Sequence, residues 1–274
     1  MARDQATHRV RTLFLSDIHL GFKRARAREL VEFLRGVEAE CIVLAGDIVD
    51  ALSLAKRFFW TDDHSQVVRA LLAKRRSGTR LIYIPGNHDP HLGMLAEMLS
   101  GQLEVHREWV HRTARGERLL VVHGDEFDSQ MQCSGFLYWL GDTLYYMTLL
   151  VNDRVNDLRR LLGRPYLPLL ERLKLGIGRS ARYIARYEEA AVRYATARGY
   201  DGIVCGHIHS PNLLRSASMV YCNTGDWVES CSALIEDTTG ELHLLRWPHR
   251  GIAAAVTSRG LRTGFNGVEA SPSV

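Results

Sequence analysis

CIVLAGDIVD, residues 41–50, decides the fold. Five apolar residues run without a polar break and stop on Gly46-Asp47. A strand with one wet face alternates apolar and polar; a strand covered on both faces does not. The same pattern recurs four times. VRTLFLS (10–16) ends at Asp17 and His19, LIYIP (81–85) at Gly86-Asn87, RLLVV (118–122) at His123, and IVC (203–205) at Gly206-His207. Helical spacing over 29–37 and 65–76 falls between the first strands, and 103–106 and 109–113 read as two more. Alternating strands and helices with doubly covered strands predict an α/β (α+β) architecture.

Composition sets the outer limits. With 46% hydrophobic residues in 274, a sizeable core is possible and a disordered chain is excluded. Five Cys without a CxxC pair exclude a disulfide scaffold and a structural zinc finger. Cys41, Cys205 and Cys222 lie in apolar strands and read as packing residues. MARDQATHRVR lacks an apolar core, so the expectation is no signal peptide and a reduced, cytoplasmic setting. The longest apolar run, 136–151, has 16 residues and Asp142 near its middle. A span needs roughly 20 apolar residues and a central Asp costs about 3 kcal/mol, so no crossing is expected there.

The character changes after residue 128. Strand signals vanish until about 200, and the segment reads as a helical insertion, 128–200, inside one domain at 8–248. Its aromatic run of Phe136, Tyr138, Trp139, Tyr145 and Tyr146 reads as a cap core or as a groove for an acyl chain. Four short strands follow, read as antiparallel, and the tail 249–274 is expected to be flexible. The net charge of +4 (35 basic against 31 acidic) is unevenly spread. Residues 154–198 carry 11 Lys+Arg against 4 Asp+Glu, a net of +7, which leaves −3 elsewhere. An acidic body with a basic insertion points to an anionic phosphorylated substrate or a membrane surface, with nucleic acid disfavoured.

The chemistry sits at the strand ends. SDIHLG (16–21), GDIVD (46–50), GNHD (86–89), HGDEFD (123–128) and GHIHSP (206–211) each deliver polar ligands where an α/β sheet assembles its site. Imidazole, carboxylate and amide oxygen together suit Mn, Fe or Zn. Counting donors gives two ions, one on Asp17, His19 and His209, the other on Asn87, His123 and His207, with Asp47 as the bridge. Two ions about 4 Å apart activate water and clamp a phosphoryl group during in-line displacement. His88, beside Asn87, is placed to protonate the leaving oxygen, with Asp89 to orient it. Asp125 and Asp128 are candidates for binding substrate or orienting His123. Lys23, Arg24, Arg154 and Arg160 are candidate substrate contacts.

These five blocks, in this order, resemble those of the calcineurin-like binuclear metallophosphoesterases. The resemblance spans the motifs of residues 10–211. It implies a sandwich of two mixed β-sheets flanked by helices, two divalent cations, frequently Mn²⁺, and the ligand roles given above. Within that family the chain looks most like the UDP-2,3-diacylglucosamine diphosphatases of lipid A synthesis, through its size, the loop after GDIVD and the long insertion. That group cleaves a nucleotide-diphospho-lipid to UMP and a lipid sugar phosphate, with a cap holding the acyl chains. The resemblance therefore implies a bacterial enzyme peripheral on the cytoplasmic face of the inner membrane. Two motifs depart from the group: His88 stands where it typically carries Arg, and GDIVD where it reads GDLFE. A phosphoesterase for a different lipid-linked, nucleotide or soluble ester, and a non-catalytic scaffold, are the competing readings.

Overall fold

A computed structural model describes residues 8–89, 103–131, 155, 158–159, 161–162 and 178–247. In chain order the elements are β1 (His8–Leu15), α1 (Ala27–Arg35), β2 (Val37–Ala45), α2 (Ala51–Lys56), α3 (Asp62–Arg76), β3 (Arg80–Ile84), β4 (Glu104–Val105), β5 (Trp109–Arg112) and β6 (Arg118–Val121). A 3₁₀ turn (Asp125–Met131) follows, then α4 (Gly178–Ala197), β7 (Gly202–Cys205), β8 (Asn212–Arg215), β9 (Val220–Asn223), β10 (Ser232–Glu236) and β11 (Leu242–Arg246).

Two mixed sheets form the body. One runs β11-β10-β1-β2-β3-β4, the other β5-β6-β7-β9-β8. In the first, β1 to β4 are parallel and β10 returns antiparallel to β1. In the second, β6, β7 and β9 are parallel, with β5 and β8 antiparallel at the edges. The late strands are thus not a simple antiparallel set: β9 pairs parallel to β7, and β10 and β11 cross to the other sheet.

The apolar runs now have a reason. Along β1, Phe14 points between the sheets while Leu13 and Leu15 face the helices. Along β2, Val43 and Ala45 point inward while Ile42 and Leu44 meet α1 and α3. Both faces are dry, so both carry apolar side chains. Leu30, Leu34, Val67 and Leu71 cover the first sheet, and Tyr187, Ala190, Ala191 and Ala195 of α4 cover the second. The final part of the expected insertion is therefore a core layer. Its alanines let α4 lie close against Ile203 and Tyr221.

Local chemistry shifted two boundaries. The period placed Val37 at the end of α1, but Gly36 stops the helix and Val37 opens β2. The strand's first half alternates buried and exposed, with Glu38 and Glu40 outward. α3 begins at Asp62 rather than 65, because Thr61 and His64 form a reciprocal capping box with His64 in the place usually held by Glu. Arg154, Arg160, the aromatic run at 136–146 and the tail lie outside the described residues.

A buried polar knot ties the sheets together. The Glu236 carboxylate, fully buried in β10, accepts from Arg11 at 2.6 Å, Thr12 at 3.1 Å, His111 at 2.7 Å and the Ala114 N–H at 2.7 Å. Arg11 and Thr12 belong to β1, and His111 to β5.

Candidate metal centre

Parallel strands deliver their C-terminal ends to one edge of a sheet. Asp17 and His19 follow β1, Asp47 follows β2, Asn87 and His88 follow β3, His123 follows β6, and His207 and His209 follow β7. The backbone then has to turn sharply, and the ligands themselves make the turn. Asp17, His19, Asp47, His207 and His209 all adopt positive φ, between 48° and 69°. Among the described residues Cys231 is the only other non-glycine to do so. Left-handed backbone costs about 1–2 kcal/mol for a residue with a Cβ, and its clustering marks a functional site. Gly46 and Gly206 complete the turns. A Cβ on Gly46 would overlap the His123 ring, and one on Gly206 would overlap the Asp17 carboxylate.

Each carboxylate is held by one oxygen and offers the other. Asp17 Oδ2 accepts from the His207 N–H at 3.0 Å and from the Ser16 hydroxyl. Its Oδ1 is buried and makes no well-aligned hydrogen bond, and it faces His209 Nε2 at 3.3 Å and His19 Nε2 at 3.9 Å. Asp47 Oδ1 accepts from the His88 N–H at 2.8 Å. Its Oδ2 lies 3.8 Å from His19 Nε2 and 3.4 Å from His123 Nε2. His123 Nε2 is also 3.2 Å from Asn87 Oδ1, while its Nδ1 donates to the Ala45 carbonyl at 3.0 Å. An orphaned buried carboxylate oxygen among converging imidazoles is costly without a cation. Asp17, His19 and His209 form one donor group within 4.8 Å, and Asp17, Asp47 and His123 form another. A third group joins His19, Asp47 and His88; Asp17 and Asp47 each belong to two of the three groups, and His207 to none, its Nε2 facing Asp128 instead. The described donors fit divalent cations.

The electrostatics agree. Burial alone would raise the Asp17 carboxyl, but His209, His123 and His19 hold it well below the usual carboxylate range. Asp47 is lowered likewise: burial opposes, and His123 prevails. Burial disfavours the charged His123, yet Asp47 and Asp17 push it up to about 10. Such a field draws a proton to His123, and a divalent cation satisfies the same field.

The roles around His88 differ from expectation. Asp89 does not orient it. Fully buried, Asp89 accepts from the N–H groups of Gly86 (2.6 Å), Ile48 (2.8 Å), Asp47 and Val49 (both 3.3 Å), fastening the third-strand loop to the Asp47 turn. A carboxylate with both oxygens on backbone amides has no reach left for a side chain three bonds along its own loop. Asp50 does the orienting. It accepts from His88 Nδ1 at 3.1 Å and His19 Nδ1 at 3.3 Å, and its other tie is the Ser53 N–H that caps α2. Burial would raise Asp50, but His19 and His88 lower it strongly. In turn His88 is raised, with burial outweighed by Asp50 and Asp47.

Asp128 also departs from expectation, since its partner is His207 rather than His123: Oδ2 lies 2.7 Å from His207 Nε2. His207 packs edge-on to His123 at 5.2 Å. Asp125 stands near enough to add to the raised His123. Lys23 is exposed and Arg24 half-buried, in the loop whose Phe22 ring lies 6.5 Å from His19. A sixth strand end escaped the sequence reading. After β9, Asp226 gathers the N–H groups of Val228, Glu229 and Ser230, and its Oδ1 stands 4.0 Å from His209 Nδ1. The signal was present, because NTGD (223–226) repeats the strand-Gly-Asp pattern.

The family model described as calcineurin-like phosphoesterase matches residues 10–211. The chain belongs to that family. Calcineurin-like phosphoesterases are metal-dependent phosphoester hydrolases, and the described residues include donor groups that could hold such a metal. The UDP-2,3-diacylglucosamine hydrolase of Blochmanniella pennsylvanica (strain BPEN) is 27% identical over 122 residues, which is 41% of this chain and 46% of the relative. The chain thus matches less than half the length of that curated relative. Among solved structures, a novel archaeal phosphodiesterase aligns over 86% of this chain and 98% of its own at 12% identity, with a TM-score of 0.44. The phosphoesterase YfcE of E. coli covers the same shares at 15% identity and a TM-score of 0.42. The phosphopantetheinyl hydrolase PptH of Mycobacterium tuberculosis gives 14% identity, 82% and 92% coverage, and a TM-score of 0.41. Among the described residues, no helix is long and apolar enough to cross a membrane.

Proposed function

We propose that this calcineurin-like phosphoesterase hydrolyses a pyrophosphate or phosphodiester bond using two divalent cations. One is held by Asp17, His19 and His209, the other by Asn87, His123 and His207, and Asp47 is shared. The observation that carries the reading is Asp47 Oδ2, which stands between His19 and His123 while its Oδ1 is pinned by the His88 N–H. When bound, the cations neutralise phosphoryl oxygens and lower the pKa of water to supply the nucleophile. The chain does the rest. Asp89 holds the Asp47 turn rigid through its backbone amides. Asn87 places its amide at the phosphoryl group. His88, with about a third of its side chain exposed, gives its Nε2 proton to the leaving oxygen while Nδ1–H stays on Asp50. Mn²⁺ is the metal we assign, with Fe or Zn as the alternatives.

For substrate, we propose a nucleotide-diphospho-lipid of the UDP-2,3-diacylglucosamine class, cleaved to UMP and a lipid sugar phosphate. Support comes from the hydrolase relative and from the surface beside the site. Leu52 is 48% and Phe58 78% exposed, and the cations Lys56 and Arg57 between them are exposed too. Apolar and basic side chains side by side suit an anionic lipid surface, so we place the protein peripherally on the cytoplasmic face of a bacterial inner membrane. Lys23, Arg24, Arg154 and Arg160 are the proposed phosphate or headgroup contacts, and Asp125 a substrate contact.

His88 favours a second reading. The general acid it supplies suits a poorer leaving group than a nucleotide phosphate, such as a sugar or alkyl phosphodiester. One assay with Mn²⁺ separates the two readings by comparing UMP release from a UDP-diacyl-sugar with turnover of an aryl phosphodiester. Release of UMP at least tenfold faster supports the first, and preference for the diester supports the second. No turnover of either leaves the scaffold reading. His88→Asn should slow alkyl esters about 10²-fold and activated aryl esters far less.

A further inference from the structure

The histidines of the centre are supported from behind by different groups. His123 leans on a backbone carbonyl and His19 on Asp50, both within the strand-end loops. His207 is supported from α4. Its Nε2 lies 2.7 Å from Asp128 Oδ2, and Asp128 Oδ1 accepts from the Tyr183 hydroxyl of α4 at 2.8 Å. One helical turn on, Tyr187 is fully buried and stacked on the His207 ring at 6.2 Å and 30°. Residues four apart share a helix face, so a single face of α4 touches His207 directly and through Asp128.

We propose that Tyr183 and Asp128 form a positioning relay that fixes the His207 tautomer and couples the docking of α4 to cation binding at the second site. The chemistry is specific. A carboxylate only accepts, so the proton must sit on His207 Nε2, and Nδ1 is the nitrogen left to meet a cation. Tyr183 matters because the Asp128 side chain is 26% exposed. Released from the hydroxyl, the carboxylate can swing to water and the imidazole can flip. Coupling runs both ways: if docked α4 tightens the cation, the cation tightens α4.

The relay rests on the two-cation reading, and the experiment separates them. Mn²⁺ uptake by the full chain is measured by calorimetry, with hydrogen exchange of α4 followed with and without Mn²⁺. Two equivalents are expected for wild type. Asp128→Asn should weaken one site about 10–100-fold and leave the other unchanged. Tyr183→Phe, which keeps the ring and the fold, should weaken the same site about 3–10-fold, in line with the loss of one hydrogen bond. Added Mn²⁺ should slow α4 exchange in wild type and not in Asp128→Asn. A purely structural role would lower the melting temperature and leave both affinities alone. Wild-type affinity at both sites of Asp128→Asn, or α4 exchange indifferent to Mn²⁺ in wild type, overturns the relay. Fewer than two equivalents in wild type overturns the two-cation reading itself, and the relay with it.

Discussion

Two of the buried charge clusters among the described residues are built to opposite rules. Around Glu236, both carboxylate oxygens are satisfied by Arg11, Thr12, His111 and Ala114, and the backbone runs through regular strands. Around Asp47, five candidate ligand residues hold left-handed backbone, and Asp17 Oδ1 makes no well-aligned hydrogen bond and faces only imidazoles. A satisfied polar cluster locks one arrangement of the two sheets; an unsatisfied, strained one waits for charge. Burial alone does not separate the two, since Glu236 and Asp17 are equally hidden. Satisfaction of the oxygens does.

The contrast breaks most readily at its extremes. Asp47→Asn should cost at least about 10³-fold in kcat/KM, roughly 4 kcal/mol, with unchanged circular dichroism and melting temperature near wild type. A variant retaining a tenth of the activity would remove Asp47 from the bridge. Glu236→Ala should do the reverse. It strands Arg11 and His111, so unfolding in urea should show a loss of about 3 kcal/mol, with turnover per folded molecule intact. Asp50→Asn comes next, at about 10–100-fold in rate, because it supports His19 and His88 without touching substrate. The alkaline limb of its pH–rate profile should move to lower pH, since Asp50 helps keep His88 protonated.

The smallest effect is a matter of acid. Glu236 titrates below its ordinary value in the folded chain: burial raises it, but His111, Ala114 and Arg11 lower it further. A carboxyl lowered by folding contributes stability above its unfolded pKa, and that contribution drains as pH falls through the folded value. Denaturant midpoints should therefore drop below about pH 4.5 in wild type and drop less steeply in Glu236→Gln, compared by urea melts at each pH.

The sequence made the strands and the crevice residues legible for one reason. Dry strands leave unbroken apolar runs, and the residues that stop them are the residues that turn toward the crevice. That is why the convergence of Asp17, His19, Asp47, Asn87, His123 and His209 on one crevice could be read by position alone. Partnerships could not be read so. Asp89 and Asp50 both flank His88 in space, yet they lie 1 and 38 positions away, and the nearer one faces the backbone. His111 and Glu236 are 125 positions apart and meet only because two sheets stack. Hydrogen-bond choice is set by rotamer and register, which leave no periodic trace.

The strand order carries a consequence for synthesis. β1, which leads into Asp17, is flanked by β2 and β10. The first neighbour begins at Val37, but the second begins only at Ser232. On a ribosome adding about 5–20 residues per second, the far edge of β1 stays open for roughly 10 to 40 s. Trp227, whose N–H grips the Asp17 carbonyl and whose own carbonyl grips Arg26, emerges in the same late stretch. Five of the motifs are therefore made before the wall that secures the first of them. During that interval the open edge is a target for another strand, and the nascent chain depends on whatever shields it until β10 arrives.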